Sequence, residues 1–119
     1  MTDYTIKRIL VLDDVHAGDV KLGLEQAFKG IVIDATTESA AALAKASESR
    51  YDVAVLDYNL KPWDVKGYNV AKNLRQSSPG TKLVGFSTSW DGLEGEFGLI
   101  ANATSLEDLI GEIDRIFKS

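Results

Sequence analysis

Two stretches, Ile9-Leu10-Val11-Leu12-Asp13-Asp14 and Val53-Ala54-Val55-Leu56-Asp57, decide the fold. Each is an apolar run without polar alternation, the pattern of a strand covered by helices on both faces, and each ends in acid. If the runs are neighbouring parallel strands, Asp13, Asp14 and Asp57 converge at one edge of the sheet. Two like unit charges about 4 Å apart repel by roughly 4 kcal/mol at an effective dielectric near 20, so such a cluster must hold a proton, gain a cationic partner or bind a metal. An all-oxygen pocket suits a hard divalent cation such as Mg²⁺.

Outward from these runs, strand-like and helix-like segments alternate, which implies βαβ units and a parallel sheet. The pattern predicts strands over Arg8–Leu12, Ile31–Ile33, Val53–Asp57, Leu83–Phe86 and Leu99–Asn102. It predicts helices over Ala17–Phe28, where Val20, Leu24, Ala27 and Phe28 recur at helical spacing, over the Ala-rich Ala40–Ser49, over Gly67–Gln76 and over Ser105–Phe117. Thr36 or Thr37 is the expected cap of the second helix, and Ser105 with Asp108 forms a partial capping box for the last. Only eight residues, Trp90 to Phe97, lie between Ser89 and Gly98. A βαβ crossover normally needs about 10–12, and Gly92 and Gly95 weaken helicity further, so the fourth helix is shortened or missing.

The chain has 119 residues, 45% of them hydrophobic, and a net charge of −5. That length fits one domain over residues 1–119, with any output domain on another chain. Without cysteine, neither a disulfide nor a thiolate metal site exists, in keeping with a reducing compartment. The acidic balance argues against nucleic acid, and no apolar run approaches the length of a membrane span, so the expectation is a cytoplasmic protein with protein partners.

A doubly wound sheet in the order 2-1-3-4-5 sets strands one and three side by side at the switch point, where ligand sites of open α/β sheets lie. Asp13, Asp14 and Asp57 then share a crevice with Ser87, which follows strand four. This combination resembles the receiver domain of two-component response regulators over nearly the whole chain, as an atypical member with a flavodoxin-like α/β fold. The resemblance implies that Asp57 is the phospho-acceptor, that Asp13 and Asp14 hold Mg²⁺ together with Asp57 and the backbone carbonyl of Asn59, and that Ser87 is the switch hydroxyl. Thr88 and Ser89 are also hydroxylic, so the choice of Ser87 rests on strand register. A carboxylate can act as nucleophile towards a phosphoryl group, and Mg²⁺ steadies the charge of the transfer.

Three departures from the resemblance stand out. Asn102 and Ala103 occupy the positions of the usual Lys-Pro pair, and an Asn offers hydrogen bonds without charge. Leu99 occupies the position of the aromatic switch residue. The short crossover removes much of the surface that receivers remodel for output.

The implied function is a regulatory domain rather than an enzyme, phosphorylated by a histidine kinase or phosphotransfer protein and passing the signal to a downstream protein partner by an atypical route. The alternative is a pseudo-receiver that binds a partner independently of phosphorylation. A small flavodoxin-like or phosphatase-like enzyme is disfavoured, because no G-x-G-x-x-G follows strand one and the acids are adjacent instead of spaced as D-x-D. His16, the sole histidine, reads as a surface residue, and the acidic loop residues Asp91, Glu94 and Glu96 as a solvated face. Trp63 and Trp90 either anchor a partner or pack inside.

Overall fold

The computed structural model describes residues 7–58 and 67–118, with Gly67 and Tyr68 described by their backbone alone. Asn59, Pro62 and Trp63 lie outside the described residues. The elements follow in the order β1 (Arg8–Leu12), α1 (Ala17–Ala27), β2 (Val32–Thr36), α2 (Ser39–Glu48), β3 (Val53–Leu56), α3 (Gly67–Ser77) and β4 (Lys82–Phe86). A 3₁₀ turn (Thr88–Trp90), α4 (Glu94–Phe97), β5 (Leu99–Ala103) and α5 (Leu106–Lys118) complete the chain. All five strands are parallel, in the order β2-β1-β3-β4-β5.

Period-two alternation within the deciding runs explains why both are apolar throughout. Leu10, Leu12, Ala54 and Leu56 face one layer with Ala42, Val70, Ala71 and Leu74 from α2 and α3. Ile9, Val11, Val53 and Val55 face the other with Val20 and Leu24 of α1 and Leu109 and Ile113 of α5. All eight strand residues are at most 1% exposed, so neither face of the central pair can accept a polar residue without leaving it unsatisfied.

Several element ends differ from expectation for identifiable reasons. The second strand begins one residue later and runs to Thr36, because the ladder with β1 continues through Leu10↔Asp34, Val11↔Ala35 and Leu12↔Thr36. Asp34 is admitted there as acceptor of the Tyr51 hydroxyl at 2.7 Å. Neither Thr36 nor Thr37 caps α2. Glu38 occupies that position without a side-chain bond, and the Thr36 hydroxyl accepts the Glu38 N–H at 3.2 Å. Ser105 does cap α5, accepting the Asp108 N–H at 3.1 Å.

The short crossover holds a 3₁₀ turn and a single turn of α4, shortened as the spacing requires. Gly92 at φ 84° and Gly98 at φ 76° make the bends that L side chains resist. Gly95 is different: its backbone is not left-handed and a Cβ would meet nothing within 4 Å. Gly95→Ala is therefore expected to stabilise the protein by about 0.5–1 kcal/mol, read as a higher urea midpoint at unchanged slope. A lowered midpoint would contradict this account of the turn.

Candidate functional site

The acids reach one place because the ladder puts them there. Leu12 pairs with Leu56 in the β1–β3 register, so the next residues, Asp13 and Asp57, leave the sheet side by side. The Asp57 N–H still donates to the Leu12 carbonyl at 2.9 Å and the Asp13 N–H to the Thr36 carbonyl at 3.2 Å. Both acids are thereby fixed at strand ends. Asp13 is 2% exposed, and its Oδ1 accepts the N–H groups of Val15 and His16 at 2.9 and 2.8 Å, which turns the chain into α1. One carboxylate oxygen from each of Asp13, Asp14 and Asp57 lies within 4.8 Å of the others.

This crowding shows in the acidity of Asp57. Burial pushes its carboxyl up, the Asp13 charge and a hydrogen bond with Asp14 push it further, and the Tyr58 N–H, donating at 2.7 Å, pulls it back only partly. The balance stands at about 7, against an ordinary 3.8. An acid cluster at that balance holds a proton near neutrality unless a cation replaces it. The donor set is all oxygen, suits Mg²⁺ and gathers its members within 4.8 Å of one another. The residues present therefore fit the ion. The carbonyl of Asn59 falls outside the described residues.

A cavity of about 410 Å³ opens over Asp13 and Asp57, with Ser87 and Thr88 also on its wall, roomy enough for a hydrated ion and a phosphoryl group. Ser87 follows the end of β4 in an extended conformation, and its hydroxyl accepts the Ser89 N–H at 3.1 Å, capping the 3₁₀ turn. Thr88 also lines the cavity, so two of the three consecutive hydroxyl residues remain near the acids. His16 is 62% exposed, as expected of a surface residue, yet it lines the same cavity, with Nδ1 3.7 Å from Asp13 Oδ1.

Asn102 is engaged elsewhere. Its Nδ2 donates to the Ser87 carbonyl at 2.8 Å and to Asp91 Oδ1 at 2.9 Å, while its Oδ1 accepts the Ser87 N–H at 3.4 Å. It clamps the end of β4 and is not among the cavity-lining residues. Asp91, expected as part of a plain solvated face, is exposed but serves this clamp. Leu99 is 5% exposed and packs inward. Trp90 is fully buried, which decides for packing over a partner-facing anchor. Asp19 and Thr104, passed over in the sequence, also line the cavity. Their signal was positional: Asp19 sits in the first turn of the helix leaving the acids, and Thr104 follows the last residue of β5.

No protein-family profile matches the sequence, and no curated protein matches it. Solved structures do. A CheY-like response regulator receiver domain from Methanospirillum hungatei JF-1 superposes with a TM-score of 0.80 at 22% identity, covering 96% of each chain. This chain has the receiver-domain fold. A putative response regulator from Chloroflexus aurantiacus J-10-fl matches with a TM-score of 0.81 at 19% identity over 97% of this chain and 100% of that one. A Burkholderia pseudomallei response regulator, solved with a phosphorylated aspartic acid and a calcium ion, matches with a TM-score of 0.73 at 19% identity over 92% and 71%. Within the receiver fold, the acid cluster here occupies the carboxyl edge of the central strands. Among the described residues no helix is long and apolar enough to cross a membrane.

Proposed function

We propose that this chain is a signal-transduction receiver in which Asp57 accepts a phosphoryl group from a phosphohistidine of a histidine kinase or phosphotransfer protein. The observation that carries the reading is the convergence of the Asp13, Asp14 and Asp57 carboxylates, with Asp57 half-buried at the mouth of a cavity large enough for the transferred group. A carboxylate oxygen of Asp57 attacks phosphorus, the bond to the donor imidazole breaks, and the donor nitrogen keeps the electron pair. Mg²⁺, when bound, offsets the repulsion between the acids and the incoming phosphoryl oxygens. Asp13, Asp14 and Asp57 would hold it, with the Asn59 carbonyl as a further oxygen. Asp13 is held in place by two backbone N–H groups donating to its Oδ1. The Burkholderia response regulator, solved with a phosphorylated aspartic acid and a calcium ion, supports the reading by its likeness in fold.

Output in this reading is atypical. The Asn102 carboxamide is committed to Ser87 and Asp91, no Lys or Arg is among the described residues lining the cavity, and Leu99 gives no ring to rotate. The chain is a regulatory module, not an enzyme, and works in the cytoplasm, in keeping with its lack of cysteine. Incubation with acetyl phosphate and Mg²⁺ is expected to add one phosphoryl group by intact mass, and Asp57→Ala to add none. Failure of the wild type to gain mass would reject the reading.

The lack of a Lys or Arg among the described lining residues also favours a second reading, a pseudo-receiver that binds a downstream protein whatever the state of Asp57. Equal affinity of the partner for wild type and Asp57→Ala would decide for it.

A further inference from the structure

One indole touches the residues on both sides of the acceptor. Trp90 is fully buried, and its Nε1–H donates to the carbonyl of Leu56 at 2.9 Å. Leu56 immediately precedes Asp57. The Trp90 ring also meets the ring of Tyr58, which immediately follows Asp57, edge-on at 5.0 Å and 80°. A buried indole N–H needs an acceptor, and many carbonyls in a core would serve. Here the acceptor is the one that fixes the peptide leading into Asp57.

The backbone of Trp90 belongs to the turn that starts at Ser87. Its N–H donates to the Ser87 carbonyl at 3.2 Å, and that carbonyl is the one gripped by Asn102. The ring also packs against Phe97 of α4 at 5.9 Å. The sequence leaves room for it: a Cβ at Gly85 would lie 2.6 Å from Trp90 Cδ1. A single side chain thus joins the acceptor end of β3, the hydroxyl turn after β4 and the shortened helix.

We propose that Trp90 is a positioning residue for Asp57, holding the Leu56–Tyr58 backbone so that the acceptor carboxylate stays gathered with those of Asp13 and Asp14. The proposal rests on the phosphoryl-acceptor reading and names a residue that this reading does not require. Its role follows from geometry, since loosening the Leu56 carbonyl moves the hinge on which Asp57 turns, while Asp13 remains pinned by its own turn.

Two variants test it. Trp90→Phe removes the N–H donor. Replacement of Trp90 by benzothienylalanine, introduced by semisynthesis, removes the donor at nearly unchanged ring size and so protects against simple failure to fold. Loss of one buried hydrogen bond is expected to raise the Mg²⁺ dissociation constant about tenfold and to speed exchange of the Asp57 and Tyr58 amides by a similar factor. The amides of Ile9, Leu10 and Val11 should keep their protection. Phe97→Leu, which trims the same aromatic cluster without touching the Leu56 carbonyl, should leave Mg²⁺ affinity within about twofold of wild type.

Unchanged Asp57 and Tyr58 exchange, or a uniform loss of protection across the sheet, would overturn the proposal. The two readings fail separately. Phosphorylation by acetyl phosphate with unresponsive amides would remove Trp90's role and keep Asp57 as acceptor. Selective amide exposure in the Trp90 variants, with a wild type that takes no phosphoryl group, would keep the positioning and remove the acceptor.

Discussion

Asp57→Asn is expected to make the metal-free protein more stable than wild type above pH 7 by about 2 kcal/mol, and to reverse that order when Mg²⁺ is added. The sign follows from which state holds the proton. The Asp57 carboxyl stands at about 7 in the fold against an ordinary 3.8, so between those values the folded chain binds a proton that the unfolded chain has lost. Stability from this group is therefore fully present below about pH 4, falls as pH rises and is gone above about pH 7. At 1.36 kcal/mol per pH unit the span has a ceiling of about 4 kcal/mol, and access of water through the open side of the cavity brings it towards about 2. The carboxamide of the Asp57→Asn variant carries no such proton and no such slope. Mg²⁺ at about one hundred times its dissociation constant adds about 2.7 kcal/mol to wild type. The same ion meets only the carboxylates of Asp13 and Asp14 in the variant. Urea melts of both proteins at pH 4, 6 and 8, with and without Mg²⁺, check every part of this. Parallel wild-type and variant curves across pH would mean that burial and the neighbouring Asp13 and Asp14 do not hold a proton on Asp57 as the geometry requires.

Gly85→Ala should be the most destabilising single-methyl change in the sheet, at about 3 kcal/mol. The added Cβ would lie 2.6 Å from Asn102 Oδ1, 2.6 Å from Trp90 Cδ1 and 2.9 Å from Leu99 Cδ1. None of the three can swing aside cheaply. Asn102 is tied to Ser87 and Asp91, Trp90 is tied to the Leu56 carbonyl, and Leu99 is packed in the core beside β4. Relief of the clash would have to break the Asn102 clamp or expel the indole, and either one disturbs the turn carrying Ser87. A thermal or urea melt gives the loss directly, with Gly95→Ala as a control in which the same methyl meets open space. A change within about 0.5 kcal/mol of wild type would show that β4 and β5 shift apart easily.

The strand pair that carries the acids is legible from Ile9–Asp14 and Val53–Asp57 because burial on both faces leaves no alternative to continuous apolar residues. The shortened fourth helix is legible from the eight residues between Ser89 and Gly98, since chain length alone limits a crossover. Strand two is understated by its residues. Its second half, Asp34 to Thr36, has only Ala35 as a weak apolar signal, and pairing with β1 and the Tyr51 hydroxyl account for the place of Asp34 in the ladder. Thr36 illustrates the same limit for caps, where the residue type suits a turn and one position of backbone decides its partner.

The sequence by itself determined the parallel sheet and the edge at which Asp13, Asp14 and Asp57 meet, because periodicity and strand-end acids are local properties of the chain. Only tertiary structure decided what Asn102 and Trp90 do. Hydrogen-bond partners 15 and 34 residues away, Ser87 and Leu56, are chosen by which strands lie side by side and by the room that Gly85 leaves between them, and no local pattern encodes that choice.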